Sequence, residues 1–332
     1  MRDYPYMTAR VSAKKKKLLD QGDYENLLKM QPNEIARRLG EGAYQDDIDE
    51  LGSKYEGARL VELALTRNLS RTLSDLVDMS PETLQRIITV YLRRYDILSL
   101  KRLLRWKKSG EKGDIHDLLT PVGSYTYGDL KELSEKTTEE IINDIEFTDS
   151  EIDYSEYLEG KKEISGLETA LDQAYFDELG LLADSTRNSD LKEFIQTEME
   201  HQNIKIALRL KKYGISSEEV SKRMLKIDNG KVVEKIVEAR DFEEGIERVK
   251  DSGLLPERAS DDLEDIEHEM QVKRLSEALS TFHREPLGIT PIIGYVIAKI
   301  TEVRNLRMLI RAKETGIQNN DTIRRNLVME HR

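Results

Sequence analysis

Cysteine is absent from this sequence. That excludes disulfides, thiolate metal sites and a cysteine nucleophile, and it fits a reducing compartment. Only seven prolines occur in 332 residues, and none interrupts a long periodic segment. One of them, Pro81, lies at an expected helix start, where Ser80 can cap and Glu82 favours the first turn. Basic residues are outnumbered, leaving a net charge of −12, which argues against a general nucleic-acid partner. No long apolar run occurs. The most apolar stretch, "ITPIIGYVIAKI", is about twelve residues long and too short to cross a bilayer. The opening "MRDYPYMTARVSAKKKK" has no apolar core and is not read as a secretory signal. A soluble, all-α chain is the expectation.

What is present is a repeat. The segment Ile300–Gly316 reads "ITEVRNLRMLIRAKETG". At 100° per residue it places Glu302, Leu306, Leu309 and Lys313 on one helical face and turns Arg307 and Arg311 away. Two further segments match it, "YDILSLKRLLRWKKSG" from Tyr95 and "MEHQNIKIALRLKKYG" from Met199. Asp96, Glu200 and Glu302 coincide, as do Leu100, Ile204 and Leu306. So do Lys101, Lys205 and Arg307, then Leu104, Leu208 and Ile310. Arg105, Arg209 and Arg311 match next, followed by Lys107, Lys211 and Lys313. Gly110, Gly214 and Gly316 close the copies. The offsets are 104 and 102 residues, and Glu62, Glu168 and Glu269 precede the three acids by 34, 32 and 33.

One unit of roughly a hundred residues is thus used three times, with boundaries drawn at 1–110, 111–214 and 215–332. Length alone suggests two domains, and the repeat overrides that. Each unit opens on buried-looking aliphatics: Leu28, Ile35 and Leu39 in the first, Leu133, Ile141 and Ile145 in the second, and Ile236, Ile246 and Val249 in the third. The closing glycines suit helix C-termini, with Lys107, Lys108, Lys211, Lys212 and Lys313 at the negative end of the macrodipole. Ser109 to Asp129 reads as a linker, "YGISS" as a second, and "EFTDSEIDYSEYLEG" as an acidic surface segment.

The pattern holds almost no catalytic chemistry. The nearest approach to a phosphate loop is "GSYTYGDL", in which Gly123 and Gly128 are correctly spaced. Asp129 stands where a lysine is required. No G-x-G-x-x-G or G-x-S-x-G occurs. A carboxylate-x-x-His pair appears twice, Glu198 with His201 and Asp265 with His268. Di-iron bundles use such pairs, together with further carboxylates on facing helices. Solvated polar residues in a charge-rich helical chain are the plainer reading. His116, His283 and His331 have no sequence partners. No catalytic, cofactor-binding or metal-binding residue is assigned, and no cofactor or small-molecule substrate is expected.

Two recurring features allow two readings each. Asp96, Glu200 and Glu302 share a face with aliphatic residues and need a cation or donors, which neighbouring helices would supply. They either fix helix register as buried ion pairs or converge on a shared axis. Lys101, Arg105 and Lys108, with Lys205, Arg209 and Lys212 and the weaker Arg307 and Arg311, form basic stripes. These are either solvated faces or contacts for an acidic partner or anionic headgroups. The run Lys14–Lys17 reads as a solvated helix turn, because Leu18 and Leu19 resume the apolar pattern.

The opening "YPYMTARVSAKKKKLL" with "DYENLL", the three units, and the close "IIGYVIAKITEVRNLRMLIRAKETGI" together resemble the C subunit of archaeal A-type and bacterial V-type ATP synthases. The d subunit of eukaryotic vacuolar ATPases is similar. The resemblance runs from Tyr4 to about Ile317. It is strongest over Gly294–Gly316 and at Ala9-Arg10-Val11, and weakest in the second unit, which carries His201 and Gln202. It implies a funnel of three helical units in pseudo-threefold order and a non-catalytic central-stalk (rotor) component. Such a component would join the central shaft, made of the D and F subunits, to the proteolipid ring at the cytoplasmic face of the membrane, touching the membrane surface through the ring. It would pass torque between ion translocation and ATP synthesis or hydrolysis. A free helical-repeat scaffold binding soluble partners is the alternative, and a metal-dependent helical enzyme stands behind it.

Overall fold

A computed structural model describes residues 4–110, 119, 121–144, 164–226, 230–255, 260–317 and 319–330. The acidic segment from Glu146 to Gly160, together with Ile145, His116 and His331, lies outside the described residues, as does part of the first expected linker, 111–118 and 120.

Among the described residues every regular element is an α-helix and there is no strand. The chain is all-α, as its periodicity and scarce prolines require. None of the helices is long and apolar enough to cross a membrane. The chain divides into two compact units, Met1–Pro81 with Gly253–Arg332, and Glu82–Ser252.

The first unit holds α1 (Tyr4–Lys15), α2 (Gln21–Leu27), α3 (Pro32–Leu39), α4 (Gln45–Leu51) and α5 (Gly57–Asp78). After the second unit the chain returns to it with three more helices, α14 (Leu263–Arg284), α15 (Thr290–Glu314) and α16 (Asn320–Asn326). The core helix is α15, which packs on α14, α5, α1 and α3. Its first turns are the apolar run noted above, and Thr290 to Lys299 are all buried. A helix buried on all sides has no solvated face, which is why the run lacks amphipathic period. Gly294 lets α14 come close: a Cβ there would lie 2.3 Å from the Ala278 carbonyl oxygen.

The second unit holds α6 (Glu82–Ser109), α7 (Tyr127–Glu135), α8 (Thr138–Asn143), α9 (Ile164–Thr186) and α10 (Ser189–Lys212). Then come α11 (Ser217–Ser221), α12 (Lys231–Glu238) and α13 (Phe242–Asp251). Here α6 packs on α9, which meets α10, and α10 packs on α12 and α13.

Local signals largely place the helix ends. Asp20, Thr126, Thr137, Asn188, Ser216, Asp241 and Asn319 each cap a helix through a side-chain oxygen, meeting orphan amides of the first turn. Ser80 behaves otherwise. Its hydroxyl donates back to the Leu76 carbonyl at 2.6 Å, closing α5 instead of capping α6. Gly110, Gly214 and Gly316 all adopt positive φ, at 66°, 70° and 80°. Beyond two of them the next amide reaches back over the last turn, Ile215 to Leu210 at 3.1 Å and Ile317 to Ala312 at 2.9 Å. This is the Schellman closure, and it needs a residue free of Cβ strain. The opening aliphatics are buried wherever they are described: Leu28, Ile35 and Leu39; Leu133 and Ile141; Ile236, Ile246 and Val249.

Candidate functional site

Two of the three repeated acids, Glu302 and Asp96, are centres of buried hydrogen bonding. Glu302 on α15 is fully enclosed. Tyr44 donates its hydroxyl to Oε1 at 2.6 Å, Lys299 donates Nζ to the same oxygen at 2.9 Å, and the Leu19 amide donates to Oε2 at 2.6 Å. Lys299 also reaches the Tyr44 hydroxyl at 2.9 Å. The Lys299 and Glu302 side chains are only 3% and 2% exposed. An ion pair so deep is costly to desolvate and holds because every oxygen is met by a donor. Burial, reinforced by the Glu302 charge, pushes the Tyr44 phenol well above its usual range.

Asp96 on α6 is also buried, yet among the described residues no lysine faces it as Lys299 faces Glu302. Its carboxylate accepts from the backbone amides of Ser124, at 2.7 Å, and Tyr125, at 3.2 Å. These amides belong to "GSYTYGDL". The loop that resembles a phosphate cradle does hold an anion, and the anion is the protein's own aspartate. Asp129, in the place of the missing lysine, completes a capping box with Thr126 at the start of α7. Burial pushes the Asp96 carboxyl up to about 6, against the pull of the two amides and the nearby Arg93 charge. Glu200, the middle acid, is only half-buried.

The expected partners on neighbouring helices are therefore partly corrected. Glu302 uses a lysine three residues back on its own helix, a tyrosine just ahead of α4 and a backbone amide. Asp96 uses loop amides.

The basic stripe is also put to a different use. Arg105 forms a bidentate pair with Glu168 on α9, and Lys101 pairs with Asp172 one turn further along. In the other unit Arg311 pairs with Glu62 on α5 at 2.6 Å, and Arg307 donates to Thr66 at 2.7 Å. In these two places a matched arginine and a matched upstream acid are two halves of one contact. Arg105 of the first copy meets the acid of the second, and Arg311 of the third meets the acid of the first. These side chains join helix to helix.

Two further recurrences escaped the sequence reading. Asn203 and Asn305, equivalent in the repeat, each clasp one backbone residue from both sides. Asn203 donates to the Leu225 carbonyl at 2.8 Å and accepts from its amide at 2.7 Å. Asn305 does the same to Val328 at 2.8 and 3.0 Å. The signal was there, an asparagine at the same offset in two copies, with Ser99 in the first. Lys211 and Lys313, both matched positions, tie the end of one helix to the start of the next. Lys313 donates to the Leu28 carbonyl and to Asn320 Oδ1 at 2.6 and 2.8 Å. Lys211 donates to the Ala239 carbonyl and to Ser217 Oγ.

The carboxylate-x-x-His pairs stand apart from this. Glu198 is engaged by Arg94 at 2.9 Å, and Asp265 is exposed on α14. Among the described residues no group of three or more His, Asp or Glu side chains is placed to hold a metal ion.

Buried polar contacts of this kind hold helices in register. A profile for the family "ATP synthase (C/AC39) subunit" matches residues 7–325. The chain belongs to this family. It is similar to the A-type ATP synthase C subunit of Methanococcoides burtonii, with 34% identity over 98% of this chain and 94% of the relative. The corresponding protein of Methanosarcina mazei is 33% identical over 95% of the chain and 90% of the relative. That of Haloquadratum walsbyi is 31% identical over 95% and 96%. As a member of the C/AC39 family, the protein is a subunit of an A/V-type ATP synthase, part of that complex, and structural in role, not catalytic.

Proposed function

We infer that this protein is the coupling between shaft and ring: it receives the shaft formed by the D and F subunits, sits on the proteolipid ring at the cytoplasmic face of the cell membrane, and carries torque between them. The observation that carries the reading is the twice-used clamp, Arg105 with Glu168 and Arg311 with Glu62. A torque-bearing spacer must resist shear between its helices. Close-packed helices bridged at the same position in different parts of the chain have that property. In this reading the repeat boundaries at 110 and 214 delimit three units in pseudo-threefold order around an axis, forming a funnel that matches a rotating shaft on one side and a ring on the other.

The test is purification of the tagged chain from its native membranes in mild detergent, followed by mass spectrometry of co-purifying proteins. Recovery of shaft proteins and the proteolipid along with the nucleotide-binding head is expected. Recovery of soluble partners alone, without proteolipid, would overturn the rotor reading in favour of a free helical scaffold. Cross-linking within the recovered complex should then join this chain to both shaft and ring.

A further inference from the structure

The lysine run Lys14–Lys17 has no part in the helix clamps. Consecutive helical residues spread around the axis, and these lysines end in different surroundings. Lys15 lies over the Phe282 ring, 4.5 Å from its centroid. Lys14 and Lys17, one turn apart, both border a half-open pocket of about 400 Å³ in the first unit, lined by the end of α1, the start of α4, α5 and α15. That volume lies within the roughly 300–1,000 Å³ of small-molecule sites.

The cavity's polar groups separate into matched and unmatched. Arg71 is matched by Asp47 at 2.9 Å and approached by Asp46 at 3.6 Å, and Lys299 by Glu302. Among the described residues Lys14, Lys17, Thr72 and Asp75 make no side-chain hydrogen bond or ion pair. Asn68 is only 3% exposed. Its Nδ2 donates to the Ala43 carbonyl at 2.9 Å and Asp47 Oδ2 at 2.8 Å, which fixes the orientation of the amide. Its Oδ1 is then a buried acceptor with no partner among the described residues. Such atoms are rare and costly.

We propose that this cavity binds a phosphorylated polyol of about the size of glycerol phosphate. Lys14 and Lys17 take the phosphate, as paired ammonium groups do in charge-assisted bonds. Hydroxyls of the polyol supply the donor that Asn68 Oδ1 lacks and reach Thr72 and Asp75. Inorganic phosphate dianion fills the first role and has no hydroxyl arm for the second. An amine fills the second and meets two unmatched lysines. The same chemistry is offered by a free polyol phosphate and by the phosphoglycerol headgroup of a lipid.

Calorimetric titration of the full chain with glycerol phosphate and with inorganic phosphate tests the assignment. Saturable binding of glycerol phosphate is expected, at least tenfold tighter than inorganic phosphate and weakened at least tenfold in K14Q/K17Q. Neither lysine is ion-paired, so that variant should melt with the wild type. Thr72→Val, which removes one hydroxyl contact and no structural bond, is the second probe and should weaken glycerol phosphate while sparing inorganic phosphate. Flotation with phosphatidylglycerol vesicles, competed by glycerol phosphate, would identify the source as lipid. Binding in solution without flotation would identify it as a free metabolite. No saturable binding, equal binding by K14Q/K17Q, or inorganic phosphate binding as tightly as glycerol phosphate would overturn the proposal.

Discussion

Arg311 on α15 donates to Glu62 on α5 across 249 residues of sequence. Arg105 and Glu168 make the same contact in the other unit, between α6 and α9. The arginine is half-exposed in each case and the acid is mostly covered, so the pair should contribute modestly. A double-mutant cycle on Arg311→Ala and Glu62→Ala should give a coupling of about 1 kcal/mol, read from unfolding midpoints. A coupling of zero would mean that the clamp adds nothing to the packed helices around it.

The buried pair is a different matter. Lys299→Met leaves the Glu302 carboxylate enclosed with Tyr44 and the Leu19 amide but without its cation, and should cost about 3–5 kcal/mol. The double variant Lys299→Met/Glu302→Gln removes the stranded charge, keeps the amide oxygen as acceptor for the Leu19 N–H, and lets the amide nitrogen donate to the Tyr44 hydroxyl. It should be more stable than the single lysine variant. If the double variant were the weaker of the two, the charge on Glu302 would not be the source of the loss.

Asp96 predicts a pH dependence. Its carboxyl sits at about 6 in the folded chain against an ordinary 3.8. A raised value means that the folded state favours the proton, so its contribution is fully present below about pH 4 and is lost as pH climbs through 6. The melting difference between wild type and Asp96→Asn should therefore favour the wild type most at pH 4, shrink between 4 and 6, and level off above 7. A difference that stays flat over that window would show the carboxyl titrating at its ordinary value.

The asparagine clasps predict a local effect. Asn305→Leu strands the amide and carbonyl of Val328, and Asn203→Leu those of Leu225. Each should cost about 1–3 kcal/mol. Amide exchange should accelerate at Val328 in the first variant and at Leu225 in the second, each without the other. Uniform acceleration in both would point to general loosening.

The helical class and the helix-ending glycines could be read from spacing alone, because periodicity and positive φ act locally. So could the burial of the repeated acids at Asp96 and Glu302. Their partners could not. Lys299 appears in sequence only as the residue near the end of an apolar run, and the Leu19 and Ser124 amides carry no side-chain signature. The arginine and upstream acid positions were both visible as repeats, but nothing in either marks it as the complement of the other. Pairing runs between copies, and a one-dimensional alignment stacks equivalent residues without saying which copy each will meet. Hence Lys101, Arg105, Arg307 and Arg311, which the sequence shows only as parts of basic stripes, each have a partner on a neighbouring helix.

The clamp between α5 and α15 also sets an order of events at the ribosome. The helices of the second unit are contiguous in sequence and can associate as soon as they emerge. Those of the first cannot. The segment from α1 to α5 is made early, yet its core partner α15 is among the last helices to be translated. Until then the early helices must wait without their central support, exposed to proteases and holdase chaperones. Stalled nascent chains ending before Thr290 should be cleaved within α1–α5 while α6–α13 resist, and extension past α16 should protect both. Early resistance of α1–α5 would mean that these five helices hold together without α15.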